Sequence, residues 1–270
     1  MLVSMKKQLI DALNNNKAIY QFNINNLEWI RYILEECNSN NQPVILGVSS
    51  SAAKYMCGYK NVYDMVINLL DNLNITIPVS IHLDHANDIA ECKKAIDAGF
   101  TSIMIDYSTK PLEENIKVTN ELMQYINGRD ILVEGEIGPI KEGSYANLDD
   151  CIEYVKNTNI DILAASIGNI HGIYQGEVNL NYDLLKQIKE NINKPLVLHG
   201  ASGINEEMIK KCISLGIAKI NVNTDLQLAW YNGVREGINN NPNIYDPRKV
   251  IGFGEENIKK CIKNKLSIIE

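Results

Sequence analysis

Ile81-His82-Leu83-Asp84-His85-Ala86 sets two imidazoles and a carboxylate at the end of an apolar run. A carboxylate beside an imidazole puts a proton acceptor next to a metal-ligand candidate. Related placements recur down the chain. Asp106 ends SIMID, Glu134 and Glu136 lie in ILVEGEI, His171 follows DILAASI, His199 closes PLVLHG, and Asn221 with Asn223 closes AKINVN. His85, His171 and His199 are three of the four histidines in the chain. Any one of them alone reads better as a polar loop residue satisfied by its neighbours. Together they sit at or just after the ends of separate apolar runs. Three imidazoles that leave one position open form the donor set of a catalytic zinc, which polarises a carbonyl.

The turns after the last three runs carry a second chemistry. HGIYQGE (171–177), HGASGI (199–204) and NTD (223–225) combine glycines, hydroxyls and a helix start. Gly172 and Gly203 permit close backbone approach, Ser202 and Thr224 offer hydroxyls, and a helix N-terminus offers unpaired N–H groups. Such a turn suits a phosphate. Helix capping accounts for Ser202 or Thr224 equally well. Their position beside the three histidines favours the phosphate.

These residues need elements to position them. Strand-like runs occupy 18–24, 44–48, 79–84, 102–106, 131–137, 161–167, 195–200 and 218–223. Amphipathic segments lie between them, among them LEWIRYILEEC, VYDMVINLLDNL, DIAECKKAIDAG and NEEMIKKCISLG, the last two stopping at Gly. Strands alternating with helices imply right-handed βαβ units and a parallel sheet. Eight units predict an α/β fold: a (β/α)8 TIM barrel, a single domain over residues 1–270 with a helical extension at 254–266. An open doubly wound sheet is the other topology this pattern admits. Active sites of such barrels form at the carboxyl ends of the strands, where the polar residues cluster. Residues two apart share a strand face, so His82 pairs with Asp84, Glu134 with Glu136, and Lys219 with Asn221 and Asn223.

Composition narrows the function. The chain has 270 residues and a net charge of −7, which argues against a general nucleic-acid binder but leaves room for one local phosphate pocket. No run is long and apolar enough to predict a membrane span, and the N-terminus reads as a helix rather than a leader. The six cysteines are scattered without a CxxC pair, as expected of reduced thiols in a cytoplasmic protein.

HLDHA, VEGEIG, IGNIHGIYQGE, LVLHGASGI and KINVNTDLQ together resemble the class II, metal-dependent ketose-bisphosphate aldolases. The resemblance runs from LVSMKKQLIDAL and QFNINNLEW to YDPRKV. QFNINNLEW and VNTD are most similar to bacterial fructose-1,6-bisphosphate aldolases, whereas GASGI is similar to the tagatose-bisphosphate enzymes. The resemblance implies zinc on His85, His171 and His199, with Glu136 near the metal and sometimes ligating it. It implies Asp84 as acid/base at the C4 hydroxyl of a ketose 1,6-bisphosphate, and Asn221 against the enediolate. Gly172, Gly200, Ser202, Gly203, Asn223 and Thr224 correspond to the C1 phosphate site. Asn23, Ser49 and Arg248 correspond to the far phosphate, the arginine reaching over from a neighbouring subunit of a homodimer or homotetramer. A monovalent cation, Na+ or K+, is also implied, as is a place in glycolysis.

Three segments depart from the family pattern. GPIKEGSYANLDD (138–150) is shorter than the usual acidic loop after the fifth strand, which leaves Glu142 as the nearest protonating acid. VSSSAAKYM (48–56) and MIDYSTKP (104–111) differ as well. Two other readings follow: a sugar-phosphate-binding protein with weak turnover, and Schiff-base chemistry through Lys219.

Overall fold

The computed structural model describes residues 1–269. Helix α1 (Lys6–Asn14) leads into β1 (Ile19–Asn23), α2 (Leu27–Ser39) and β2 (Val44–Ser49). Two helices, α3 (Ser50–Tyr55) and α4 (Tyr59–Asn72), separate β2 from β3 (Val79–Ala86). Then follow α5 (Ile89–Ala98), β4 (Ser102–Ile105), α6 (Leu112–Ile126), β5 (Leu132–Ile137), α7 (Leu148–Asn157) and β6 (Ile162–Ala165). The chain ends with α8 (Tyr182–Asn191), β7 (Leu196–Leu198), α9 (Glu206–Ser214), β8 (Ile217–Val222), α10 (Thr224–Asn240), α11 (Pro247–Gly252) and α12 (Glu255–Leu266). The eight strands are parallel, and β8 pairs with β1, so the barrel is closed. The open-sheet alternative is thereby excluded.

Local chemistry sets the element boundaries. Asn26, Asn147, Asn181 and Asn205 each cap a helix by accepting a backbone N–H, and Asp88 does so for α5. Gly99 closes α5 at φ 108, where an added Cβ would meet the Tyr63 ring at 2.5 Å. Only glycine satisfies both demands.

The strands are buried on both faces, which is why they read as apolar runs rather than strict alternation. Tyr20, Phe22, Leu46, Ile81, Val133 and Ile220 pack outward against the helices. Ile19, Ile45, Leu132, Ile162 and Val197 form a separate apolar group inside the barrel. Met5, just before α1, and Leu9 of α1 close the amino-terminal mouth over it. Above this group lies a buried polar layer of Gln21, His82, Ser102, Glu134 and Lys219. The Lys219 ammonium donates to Glu134 Oε2 and lies 3.2 Å from His82 Nε2. His82 Nδ1 in turn lies 2.6 Å from Ser102 Oγ. Burial and then the Lys219 charge push the His82 pKa down to about 3, so this imidazole stays neutral and accepts from the lysine. The chemistry-bearing side chains stand on top of this layer.

The C-terminal segment returns to the start of the barrel. Ile258, Ile262 and Leu266 of α12 are buried. Arg31 of α2 pairs with Glu255 at 2.5 Å, and Lys259 bridges Glu35 and Glu255. Trp29 and Trp230 pack with ring centroids 6.4 Å apart.

Candidate active site

Asp84 and His85 are neighbours, and neighbours in a regular strand face opposite sides. β3 resolves the conflict with a bulge. Its register against β4 shifts between Leu83 and Ala86, and His85 adopts φ 51. The left-handed residue turns its imidazole into the same opening as the Asp84 carboxylate.

His85, His171 and His199 converge there. Their ring centroids are 4.7, 4.5 and 5.9 Å apart, and one donor atom from each lies within 4.8 Å of the others. Two of the rings are oriented from behind. His85 Nδ1 lies 3.0 Å from Asp106 Oδ2, and His199 Nε2 lies 2.7 Å from Glu134 Oε1. With the outer nitrogens committed to carboxylates, His85 Nε2 and His199 Nδ1 face each other at 2.9 Å. Two lone pairs that close repel unless a proton or a cation lies between them. His85 accordingly favours its charged form, with a pKa of about 9: burial opposes the charge, but Asp106, Asp84 and Glu136 outweigh burial. Burial and the other two rings push His171 down to about 4. Nitrogen donors, an open side and carboxylates behind two rings fit a borderline-soft divalent cation such as zinc.

Glu136 occupies a different position. It joins His85 and Asp106 in a second donor group and lies 3.7 Å from His85 Nδ1, on the outer side of that ring. Burial, then Asp106, raises its pKa to about 8, and its Oε2 has no partner. Asp84 is 7% exposed and held by two amides. Asn23 Nδ2 donates to Oδ2 at 2.8 Å, and Asn221 Nδ2 reaches Oδ1 at 3.4 Å. Burial alone would raise its pKa, yet the charged His85 beside it, with Lys219 beneath, holds it well below the usual carboxylate range.

A cavity of about 670 Å³ opens above these groups. Asp84, Asn221, His85, His171, His199 and Glu136 line it, as do Asn23, Ser49, Gly172, Gly200, Ser202, Asn223 and Thr224. The turns pack on one another: an added Cβ at Gly200 would lie 2.0 Å from the Ile170 carbonyl oxygen. Asn169 Nδ2 donates to the His199 carbonyl at 2.9 Å, so the His171 loop is tied to the turn after β7. At the start of α10, Asn223 makes no side-chain cap and its Oδ1 is unpartnered, while Ser202 Oγ accepts from Asp225 N–H at 3.1 Å. A helix start whose own N-cap side chain is left free at a cavity is a ready anion site.

Three expected residues are not brought to the cavity. Glu142 lines a smaller neighbouring recess of about 190 Å³ with Tyr145, Tyr174 and Glu177. The turn after β5 is pinned by Ser166, the residue after β6, whose Oγ donates to the Ser144 carbonyl. Gly203 donates to Asp225 Oδ2 at 3.4 Å, one residue beyond the lining. Arg248 of this chain is 89% exposed and paired with Asp246 at 2.7 Å. Lys219 lies beneath the site in its ion pair with Glu134 and does not line the cavity, which removes the geometric basis for a Schiff base. The sequence reading missed Asp106 and Glu134 as orienting groups, although Glu134 shares a strand face with Glu136. It also missed Ser108, Thr109 and Lys141 in the lining, although all three lie in segments that follow strand ends, where the site was expected.

Comparison with known proteins supplies the family. The sequence profile described as fructose-bisphosphate aldolase class-II matches residues 3–270. The fructose-bisphosphate aldolase of Geobacillus stearothermophilus is 48% identical over 274 residues, 98% of this chain and 96% of that protein. That of Staphylococcus epidermidis is 47% identical over the same length, with the same coverage. Among solved structures, the YdjI aldolase from Escherichia coli K12 superimposes with a TM-score of 0.88 at 30% identity, over 100% of this chain and 97% of that one. The fructose-bisphosphate aldolase of Campylobacter jejuni superimposes at 0.85 with 25% identity, over 99% of this chain and 95% of that one. Sequence and fold agree along nearly the whole chain, and it belongs to the class-II fructose-bisphosphate aldolases.

Proposed function

We propose that this aldolase reversibly cleaves fructose 1,6-bisphosphate to glycerone phosphate and glyceraldehyde 3-phosphate, with zinc on His85, His171 and His199. The observation that carries the reading is Asp84, an ionised carboxylate held between Asn23 and Asn221 beside the three imidazoles. Zinc bound there would draw electron density from the ketose carbonyl and ease formation of the enediolate. Asp84 takes the proton of the C4 hydroxyl as the C3–C4 bond breaks, and returns it in the condensation direction. The two amides keep its oxygens aimed while it waits. Asn221 lies next to His199 Nδ1, 3.1 Å away, where it can also donate to the enediolate oxygen. Glycerone phosphate would set its phosphate against Gly172, Gly200, Ser202, Asn223 and Thr224, at the start of α10. Glu136, in the second donor group behind His85, would shift the local charge rather than complete the three-histidine set.

Other parts of the proposal rest on the resemblance. They are a cytoplasmic place in glycolysis, a Na+ or K+ ion near the first phosphate, and a homodimer whose Arg248 serves the neighbouring subunit's cavity. Leu228, Tyr231 and Ile238 of α10 and Tyr245 before α11 are exposed on the stretch that leads to Arg248, which supports association through this surface. The position of Glu142 outside the cavity favours a second reading, a sugar-phosphate binder with weak turnover. Zinc analysis with coupled cleavage assays on fructose and tagatose 1,6-bisphosphates tests both. The leading reading expects one bound zinc and faster turnover of the fructose sugar. A preference for tagatose would change the substrate. Thermal stabilisation by bisphosphate without cleavage would establish the binder.

A further inference from the structure

The cavity presents its ligand with an unusual charge balance. Three acidic side chains line it: Asp84 and Asp106, both held ionised, and Glu136, whose raised pKa of about 8 leaves it mostly protonated at neutral pH. Among the described lining residues one lysine and no arginine stands against them: Lys141, on the turn between β5 and α7. Arg248 of the same chain points to solvent. Several surface lysines, such as Lys60, Lys210 and Lys259, are tied to carboxylates, but Lys141 belongs to none of the ion pairs among the described residues.

The backbone beneath Lys141 is fixed. Pro139 restricts the turn, and Ile140, 8% exposed, anchors it in the cavity wall. Lys141 N–H donates to the Pro139 carbonyl at 3.0 Å, and Ser144 N–H to the Lys141 carbonyl at 3.1 Å. Ser166 Oγ donates to the Ser144 carbonyl at 2.9 Å, and Ala146 N–H to the Ser166 carbonyl at 2.7 Å, which pins the turn to the end of β6. The next residue, Glu142, faces the neighbouring recess. The turn therefore places its lysine at the cavity and its glutamate at the neighbouring recess. Lys141 is exposed at the cavity wall, and a flexible ammonium on a fixed root beside a site that must accept phosphate groups can serve as a point-charge anion contact.

We propose that Lys141 is a substrate-binding residue that contacts a phosphate of the bisphosphate ligand, so that the turn after β5 selects ligands by charge. This rests on the aldolase reading above, and the test separates the two. The probe is a hexitol 1,6-bisphosphate, which has no carbonyl and cannot be cleaved. Its binding to the zinc-loaded protein is measured by titration calorimetry, alongside turnover of fructose 1,6-bisphosphate. Lys141→Met should weaken hexitol bisphosphate binding about tenfold or more, the loss expected of one hydrogen bond to a charged group. KM should rise in parallel and the salt dependence of binding should flatten. Lys141→Arg should keep most of the affinity. Lys110→Met, which removes an exposed cation outside the cavity, should bind like the parent. If Lys141→Met melts at the parent's temperature and binds the probe within twofold of it, the Lys141 inference is wrong and the aldolase reading stands. If the parent binds the probe through Lys141 but cleaves no ketose bisphosphate, the aldolase reading is wrong and the inference stands. If the parent does not bind the probe, both fail.

Discussion

At the scale of single residues, the role proposed for Asp84 as a base rests on its neighbours. A carboxylate 7% exposed would ordinarily hold its proton, yet the charged His85 and Lys219 keep it ionised, and two amides fix its oxygens. Asp84→Asn keeps the shape and removes the proton acceptor, so kcat should fall by about 10²–10⁴-fold with the zinc content unchanged. Single-turnover assays and metal analysis check this; unaltered turnover would remove Asp84 from the chemistry. Glu134 offers a second test, because its carboxylate pairs with Lys219 and orients His199 together. Glu134→Gln leaves a buried ammonium unpaired, at a cost of about 3–5 kcal/mol, and should weaken zinc binding about 10–100-fold. Denaturant unfolding and competitive zinc titration measure the two effects separately. The three histidines were legible because rare side chains fell where barrel strands end. The convergence of Asp84 with His85 was not, because strand alternation forbids it and only the bulge at His85 allows it. Nor could the sequence say which of Lys141 and Glu142 enters the cavity. The turn that carries both is tied down by the bond from Ser166 to Ser144, a contact between residues 22 apart in sequence.

At the scale of elements, all eight strands lie inside the apolar runs that announced them or within a residue or two of their ends, and the reason for the differences is functional. PLVLHG reads as a strand over 195–200, but β7 spans only Leu196–Leu198. DILAASI reads as 161–167, but β6 stops at Ala165. In both places the chain leaves the sheet so that its turns can pack together: Asn169 reaches the His199 carbonyl and Gly200 lies against Ile170. β3 runs the other way, extending two residues past its expected end through the bulge to Ala86. The opening helix was legible as a helix but not as a plug. Leu9 is fully buried in the apolar group that fills the amino-terminal half of the barrel. Leu9→Ala should therefore cost about 2–5 kcal/mol, as a large-to-small change in a core does. The polar layer of His82, Glu134 and Lys219 separates this plug from the cavity, so the bisphosphate KM should stay within twofold of the parent. A large KM change in that variant would show that the lower barrel communicates with the mouth.

At the scale of the whole molecule, the barrel brings groups together that repel one another. His85 Nε2 and His199 Nδ1 stand 2.9 Å apart, His171 joins them, and Asp84, Asp106 and Glu136 crowd the same opening. A divalent cation relieves both conflicts, because imidazole nitrogens ligate it and its charge offsets the carboxylates. Folding and metal binding are therefore linked, and a metal that binds only the folded state stabilises it by RT ln(1 + [metal]/Kd). At a thousandfold excess over Kd this is about 4 kcal/mol, or roughly 10 °C in Tm for a chain of this size. Exhaustive chelation should lower Tm by that order and abolish cleavage, and stoichiometric zinc should restore both. Cobalt should substitute in part, whereas magnesium, which prefers oxygen donors, should restore neither. The Leu9→Ala variant gives an internal check, since its lost packing energy is independent of the metal and its zinc-induced shift should match the parent's. A chelated protein that keeps its Tm and its turnover would mean that the three imidazoles serve packing alone.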